Sequence, residues 1–186
     1  MKVIGIDLTG SENKASGFAT LWPDGLAQTE RVKTDDEMLE LVDAYGPSLI
    51  SIDSPLSLPE DPTKIYRECE LTLKRRGISV FWCLLPTMKN LTMRGIALAG
   101  KLRKSGFDVI ESYPGAAQDI LNIPRKGKSI EALRRGLLAY GIQGNLEVSH
   151  DELDAITAAI VGQLYLKGDY EALGCLILPK RKGMLL

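Results

Sequence analysis

Histidine is almost absent from this chain of 186 residues, His150 being the only one. Catalytic schemes that need two imidazoles are thereby excluded. Cys69, Cys83 and Cys175 are too few and too scattered for a disulfide framework or a four-ligand zinc site, and their odd number leaves at least one unpaired. There is no G-x-S-x-G elbow to present a serine nucleophile to His150. Walker A and G-x-G-x-x-G sequences are also missing, which removes P-loop and dinucleotide readings at the motif level. No apolar run reaches about 18 residues, and no basic lead precedes an apolar signal segment. No membrane partner and a cytoplasmic location are therefore expected. Charge of neither sign prevails: 23 Lys and Arg against 24 Asp and Glu leave a net -1. A nucleic-acid partner would have to be held by local patches or bound metal, because overall charge offers it no attraction.

What is present reads as one α/β domain spanning residues 1–186, with surface insertions near 58–63 ("PEDPT") and 124–129 ("PRKGKS"). Val3 to Asp7, Ala15 to Leu21 and Leu26 to Val32 predict a three-strand antiparallel meander, with Pro23-Asp24-Gly25 as a turn. "TDDEMLELVDAYG" predicts a helix capped by Thr34 or Asp35, and Leu49 to Asp53 a fourth strand, apolar on both faces as a parallel strand would be. A helix is expected within "PTKIYRECELTLKRRG" and another from about Lys89 to Lys104. "ISVFWCLLPTM" between them suits a short strand or a packed loop. "FDVIES" makes a fifth strand, "AAQDILN", "SIEALRRGLLAYG" and "SHDELDAITAAIVGQLYLKG" read as helices, and "ALGCLILP" is a closing strand before a basic "KRKG" tail. The order favours a mixed sheet, the meander followed by parallel strands, with helices on both faces.

Three expected strands end in a carboxylate: Asp7, Asp53 and Glu111. Ligands of open α/β sheets bind beyond the carboxyl ends of strands, so these three can converge despite their separation in sequence. Each alone is equally a turn or helix cap. In "VSHDELDAITAAIVG", Ser149 and Glu152 form a capping box, which puts Asp151 in the first turn and Asp154 three residues on, on roughly the same face. A negative group at a helix start accounts for Asp151. Asp154 lies beside Ala155, Ala158 and Ala159, the flank that would let the helix approach a sheet. Clustered carboxylates repel unless protonated, paired or metal-bound, and without histidine or thiolate clusters a hard cation such as Mg²⁺ matches the inventory. Thr9 and Gly10 begin a turn whose amides could face a phosphate, or simply close a hairpin.

Together "IGIDLTG", "SIDSPLSLP", "DVIESYPG" and "HDELDAITAA" resemble the family of predicted nucleases with a ribonuclease H-like fold, and more distantly the Holliday-junction resolvases. The resemblance covers nearly the whole chain. It implies a ribonuclease H-like domain holding one or two Mg²⁺ or Mn²⁺ ions through Asp7, Asp53, Glu111 and Asp154, with Asp151 joining the catalytic set. Arg67 and Glu70 in "YRECE" match the family's arginine–acid helix, as an ion pair beside the site. Asp53 is shorter than the glutamate of the resolvases, so metal geometry there would differ.

His150 could orient water or phosphate, or be a solvated helix-start residue. Lys126 and Lys128 in "PRKGK" are the best loop contacts for a phosphate backbone. Other basic groups, Lys64, Arg67 and Lys74 to Arg76, then Lys101, Arg103 and Lys104, serve equally as solvated helix faces. Tyr66, Trp82 and Tyr113 could stack bases or complete the core. The expected activity is metal-dependent phosphodiester hydrolysis on DNA or RNA. The alternatives are a nucleic-acid- or nucleotide-binding protein without turnover, a relative of actin-like phosphotransferases, and a structural domain whose carboxylates are caps. "LYL" near residue 165 and the apolar faces permit a homodimer.

Overall fold

The computed structural model describes residues 1–180, so the "KRKG" tail beyond Lys180 lies outside the described residues. The strands are β1 (Val3–Asp7), β2 (Ser16–Leu21), β3 (Ala27–Val32), β4 (Leu49–Asp53), β5 (Val109–Ser112), β6 (Tyr170–Leu173) and β7 (Leu176–Pro179). The helices are α1 (Asp35–Tyr45), α2 (Glu68–Arg75), α3 (Lys89–Lys104), α4 (Pro114–Leu121), α5 (Ile130–Tyr140) and α6 (His150–Lys167). All strands join one mixed sheet in the order β3-β2-β1-β4-β5-β7-β6. The antiparallel meander β1 to β3 is as expected, and β1, β4, β5 and β7 run parallel.

Strand alternation sorts the core into two layers. Ile4 and Ile6 of β1, with Ile50 and Ile52 of β4, pack on Met38 and Val42 of α1 and on Leu98, Ala99 and Leu102 of α3. Val3 and Leu49 face the other way, onto Leu153, Ile156, Ala159 and Ile160 of α6. Every residue of α6 from Glu152 to Gly162 is buried. A helix enclosed on all sides is therefore this sheet's central support.

Its close docking depends on two glycines. A Cβ on Gly5 would collide with the Ala155 carbonyl and reach 2.5 Å from the Ala159 nitrogen, and one on Gly17 would strike the Asp151 carbonyl and approach the Glu152 nitrogen at 2.7 Å. Gly17 is the lateral neighbour of Asp7. The bare backbone thus lets the start of α6 rest directly beside the end of β1.

Two expected elements differ. The helix foreseen over 62–77 begins only at Glu68, because Asp61 closes a turn by accepting from the Thr63 amide and hydroxyl, and Arg67 is extended with its amide donating to Glu70 at 3.1 Å. The single closing strand is a hairpin, β6–β7, turning at Gly174-Cys175 with Gly174 at φ +61°. Residues 78–88 form turns rather than a strand. Leu164, Tyr165 and Leu166 pack on the chain's own core. Among the described residues no helix is long and apolar enough to cross a membrane.

Candidate active site

Asp7 and Asp53 are register partners at the ends of the parallel pair β1–β4. Their backbones are thus about 4.8 Å apart and both side chains leave the same face. That face carries α6, whose Asp154 and Asp151 come within electrostatic reach of Asp7. Among the described residues neither the Asp7 nor the Asp53 carboxylate has a hydrogen-bond or ion-pair partner, their backbones alone being paired in the sheet. Burial, then repulsion from Asp53 and Asp154, holds the Asp7 carboxyl well above the usual carboxylate range. Burial and then Asp154 do the same to Asp53. Both line a cavity of about 310 Å³, which also takes in Lys126 and, towards its apolar end, Leu73, Val80 and Met88.

Asp154 is almost fully enclosed and fully engaged. Gln118 of α4, itself buried, donates to its Oδ1 at 2.7 Å, and the Lys126 ammonium lies 2.8 Å from its Oδ2. Lys126 is also 3.9 Å from Asp151 Oδ1. Burial opposes charge on Lys126, but Asp154 and Asp7 outweigh it and raise its proton affinity above the ordinary value. The chain thus supplies one cation of its own to an acidic centre of four aspartates. His150 Nδ1 sits 2.7 Å from Asp151 Oδ1, beside Lys126 on the exposed rim.

Glu111 lines the same cavity and adds to the repulsion on Asp53, but its carboxylate is already engaged by the chain's own groups. It pairs laterally with Ile52, while Ser112 pairs with Asp53, so alternation turns Glu111 to the opposite face of the sheet from the two aspartates. There Arg67 grips it in a fork, Nη1 to Oε2 at 2.8 Å and Nη2 to Oε1 at 2.7 Å, while the Leu56 amide donates to Oε2 at 2.7 Å. Arg67 Nε also donates to Glu70 Oε1 at 2.9 Å. Arg67, Glu70 and Glu111 are all buried and form one ion-pair network.

Thr9 holds its own turn together. Its hydroxyl donates to the Ser11 and Lys14 carbonyls, and Arg94 Nη1 donates to its carbonyl at 2.8 Å. Arg94, ion-paired with Asp35, pins this turn to α1. Lys128 is exposed on the 122–129 loop. Tyr66 and Trp82 pack against each other with their rings tilted by 45°, with Lys74 over Trp82, and the Tyr113 hydroxyl donates to the Ser79 carbonyl. Gln118 and Arg94 escaped sequence reasoning. A polar residue inside the apolar flank "AAQDIL" and a lone arginine inside "LTMRGIAL" were the available signals.

The donor set suits a hard divalent cation in charge and atom type: two unpartnered carboxylates side by side and a third balanced by a displaceable ammonium. As the side chains stand, no group of three or more His, Cys, Asp or Glu among the described residues is drawn close enough to hold a metal ion. Asp154 would have to exchange Lys126 for the metal.

Residues 5–174 match the model of the family described as "Protein of unknown function (DUF429)", and the chain belongs to that family. Comparison with curated proteins gives no match. Among solved structures the chain is similar to Thermus thermophilus RuvC. In complex with Holliday junction substrate, that protein shares 15% identity at a TM-score of 0.57, over 90% of this chain and 96% of that one. A second RuvC structure shares 17% at 0.54, over 90% and 97%. This likeness establishes the fold, a mixed sheet with flanking helices broadly consistent with a ribonuclease H-like architecture, and leaves function to the site.

Proposed function

We propose that this chain, acting as one ribonuclease H-like domain over residues 1–186, is a divalent-metal-dependent nuclease that hydrolyses phosphodiester bonds of DNA or RNA. The observation that carries the reading is the Asp7–Asp53 pair: two unpartnered carboxylates in lateral register, facing a cavity, an arrangement that costs stability and serves no packing role. The RuvC-like fold supports it.

Asp7 and Asp53 would hold one Mg²⁺ or Mn²⁺, and Asp154, with Asp151 beside it, would complete the site for one or two ions. Such an ion polarises a phosphoryl oxygen and lowers the pKa of a bound water. Gln118 fixes the Asp154 rotamer from behind. Lys126, once released from Asp154, has its ammonium free for a non-bridging phosphate oxygen, and His150, steered by Asp151, faces the same rim. Lys128 extends the basic loop towards a flanking phosphate. Arg67, Glu70 and Glu111 position the cavity wall and touch no reacting atom in this scheme.

The competing reading is a binding protein without turnover. The Lys126–Asp154 contact favours it, since it neutralises part of the centre without a metal. Incubation of the full chain with labelled branched, duplex and single-stranded DNA and RNA, in Mg²⁺, Mn²⁺ or chelator, separates the two. Hydrolysis should require the metal and vanish in folded Asp7→Asn and Asp154→Asn. Cleavage that persists in both variants refutes the assignment, and tight binding with no cleavage in any metal supports the second reading.

A further inference from the structure

The cavity beside the acidic centre has an apolar side that a metal and a phosphate leave unused. Asp7, Asp53 and Lys126 line part of it, and Leu73, Val80, Phe81, Met88, Leu91 and Leu176 line much of the remainder. A metal ion and a phosphate bind through oxygen and charge, so neither gains from such a wall. The volume of about 310 Å³ lies at the lower end of the range of about 300–1,000 Å³ for small-molecule sites. It suits one compact group and not a length of chain.

Phe81 is the most informative of these residues. It is 69% exposed, more than any other large apolar residue described. Its neighbours in the chain are nevertheless held: the Ser79 carbonyl accepts from the Tyr113 hydroxyl at 2.7 Å, and Trp82 packs 5.2 Å from Tyr66, with the Lys74 ammonium 3.5 Å from its ring. An aromatic ring is thus presented at the cavity wall by a segment anchored on either side. Covering that ring with an apolar occupant removes it from water and is favourable.

We propose that this cavity receives one unpaired base of the substrate strand, with Phe81 stacking on the base and the attached phosphate reaching the Asp7–Asp53 end. The inference rests on the nuclease reading above and adds its substrate class, a strand that is single, looped or bulged at the nucleotide next to the cut. A nucleotide joins a flat, largely apolar ring to anionic oxygens within the span of one small cavity. The flexible thioether of Met88 can follow the outline of such a ring. A base inside a continuous duplex would first have to be unpaired and unstacked, a cost that an already unpaired base avoids. Aromatic stacking accepts any base, because each has a π face, so the cavity selects for the unpaired state above sequence.

The test is binding, read separately from cleavage. Fluorescence anisotropy of the full chain in Ca²⁺ is measured with one labelled sequence as a single strand, as a perfect duplex, as a duplex with one bulged base, and with that bulge made abasic. The single strand and the bulge should bind about tenfold more tightly than the perfect duplex and the abasic bulge, within what one base–aromatic stack contributes. Phe81→Ala, at an exposed position, should abolish that difference and leave duplex binding unchanged, and Phe81→Trp should retain it. Equal affinity for the bulge and the abasic bulge, a preference that survives Phe81→Ala, binding of none of the probes, or tighter binding of a free nucleoside monophosphate than of the single strand would each overturn the proposal. The nuclease reading is decided apart from this: metal-dependent cleavage without the preference leaves that reading standing and refutes the base site, whereas the preference without cleavage in any metal does the reverse.

Discussion

Replacing Asp7 by asparagine should make the metal-free protein more stable, although it removes a side chain from the proposed active centre. Asp7 is pressed by burial and by Asp53, Asp154 and Asp151, with only Lys126 opposing them. Two unit charges about 5 Å apart repel by about 3 kcal/mol at an effective dielectric of 20. Lys126 offsets part of this. Protonation sets a ceiling, since lifting a carboxyl from its ordinary 3.8 to pH 7 corresponds to about 4 kcal/mol. A gain of about 1–3 kcal/mol at neutral pH follows. A carboxyl harder to ionise when folded keeps its proton longer in the native state. Its stabilising effect is therefore complete below the unfolded value and is lost as pH rises towards the raised folded value. The advantage of Asp7→Asn should accordingly shrink between pH 7.5 and pH 4. Urea unfolding in chelator at both pH values measures it. Saturating Mn²⁺ should reverse the order, because wild type gains about 2.7 kcal/mol at a hundredfold excess over its Kd and the variant does not. If the variant proves less stable than wild type at pH 7.5 in chelator, the account of an electrostatically frustrated pair is wrong.

Three further outcomes are expected. Gly5→Ala should cost about 3 kcal/mol or more in urea unfolding, because the added methyl meets the backbone of α6 at Ala155 and Ala159; a cost below about 0.5 kcal/mol would mean that α6 docks elsewhere. Arg67→Met leaves Glu111 buried without its fork and should cost about 3–5 kcal/mol, part of which Glu111→Gln in the same background restores; no restoration would deny that the loss is electrostatic. Lys126→Met should tighten Mn²⁺ binding in calorimetry by removing the competing ammonium, with a stability cost of about 1 kcal/mol or less since Lys126 is 43% exposed; weaker Mn²⁺ binding would refute its place as counter-charge.

Local signals carried most of the fold. β1 and β4 have the bounds their apolar runs suggested, the capping box of Ser149 with Glu152 starts its helix as read, and of the two caps weighed for α1 it is Thr34 that serves, with Glu37 completing a box. What escaped was set by distant partners. The helix of "PTKIYRECELTLKRRG" lost its first turns because Arg67 must be extended where it meets Glu111, 44 residues away, and no periodicity within the segment records that obligation. The closing hairpin failed for a simpler reason: its Gly174-Cys175 turn is only two residues long and interrupts a run that otherwise reads as one apolar strand.

The carboxylates show the same limit. Their positions at strand ends were legible, but the face each one takes depends on register, and a shift of one residue turns a side chain to the opposite face. Asp7 lies opposite Asp53, and Asp53 lies opposite Ser112; Glu111, one residue earlier, leaves from the other face of the sheet and reaches the cavity wall beside Arg67. Once there it is a buried charge that needs a cation, and Arg67 meets that need with two hydrogen bonds. The acidic groups therefore divide into two populations with opposite energetic signs. Glu111 is compensated, so removing its partner destabilises the fold. Asp7 and Asp53 are only partly compensated, by Lys126, so neutralising either should stabilise it. A carboxylate pair kept against its own stability is better explained by a ligand than by packing, which is why the proposed catalytic centre rests first on the aspartates.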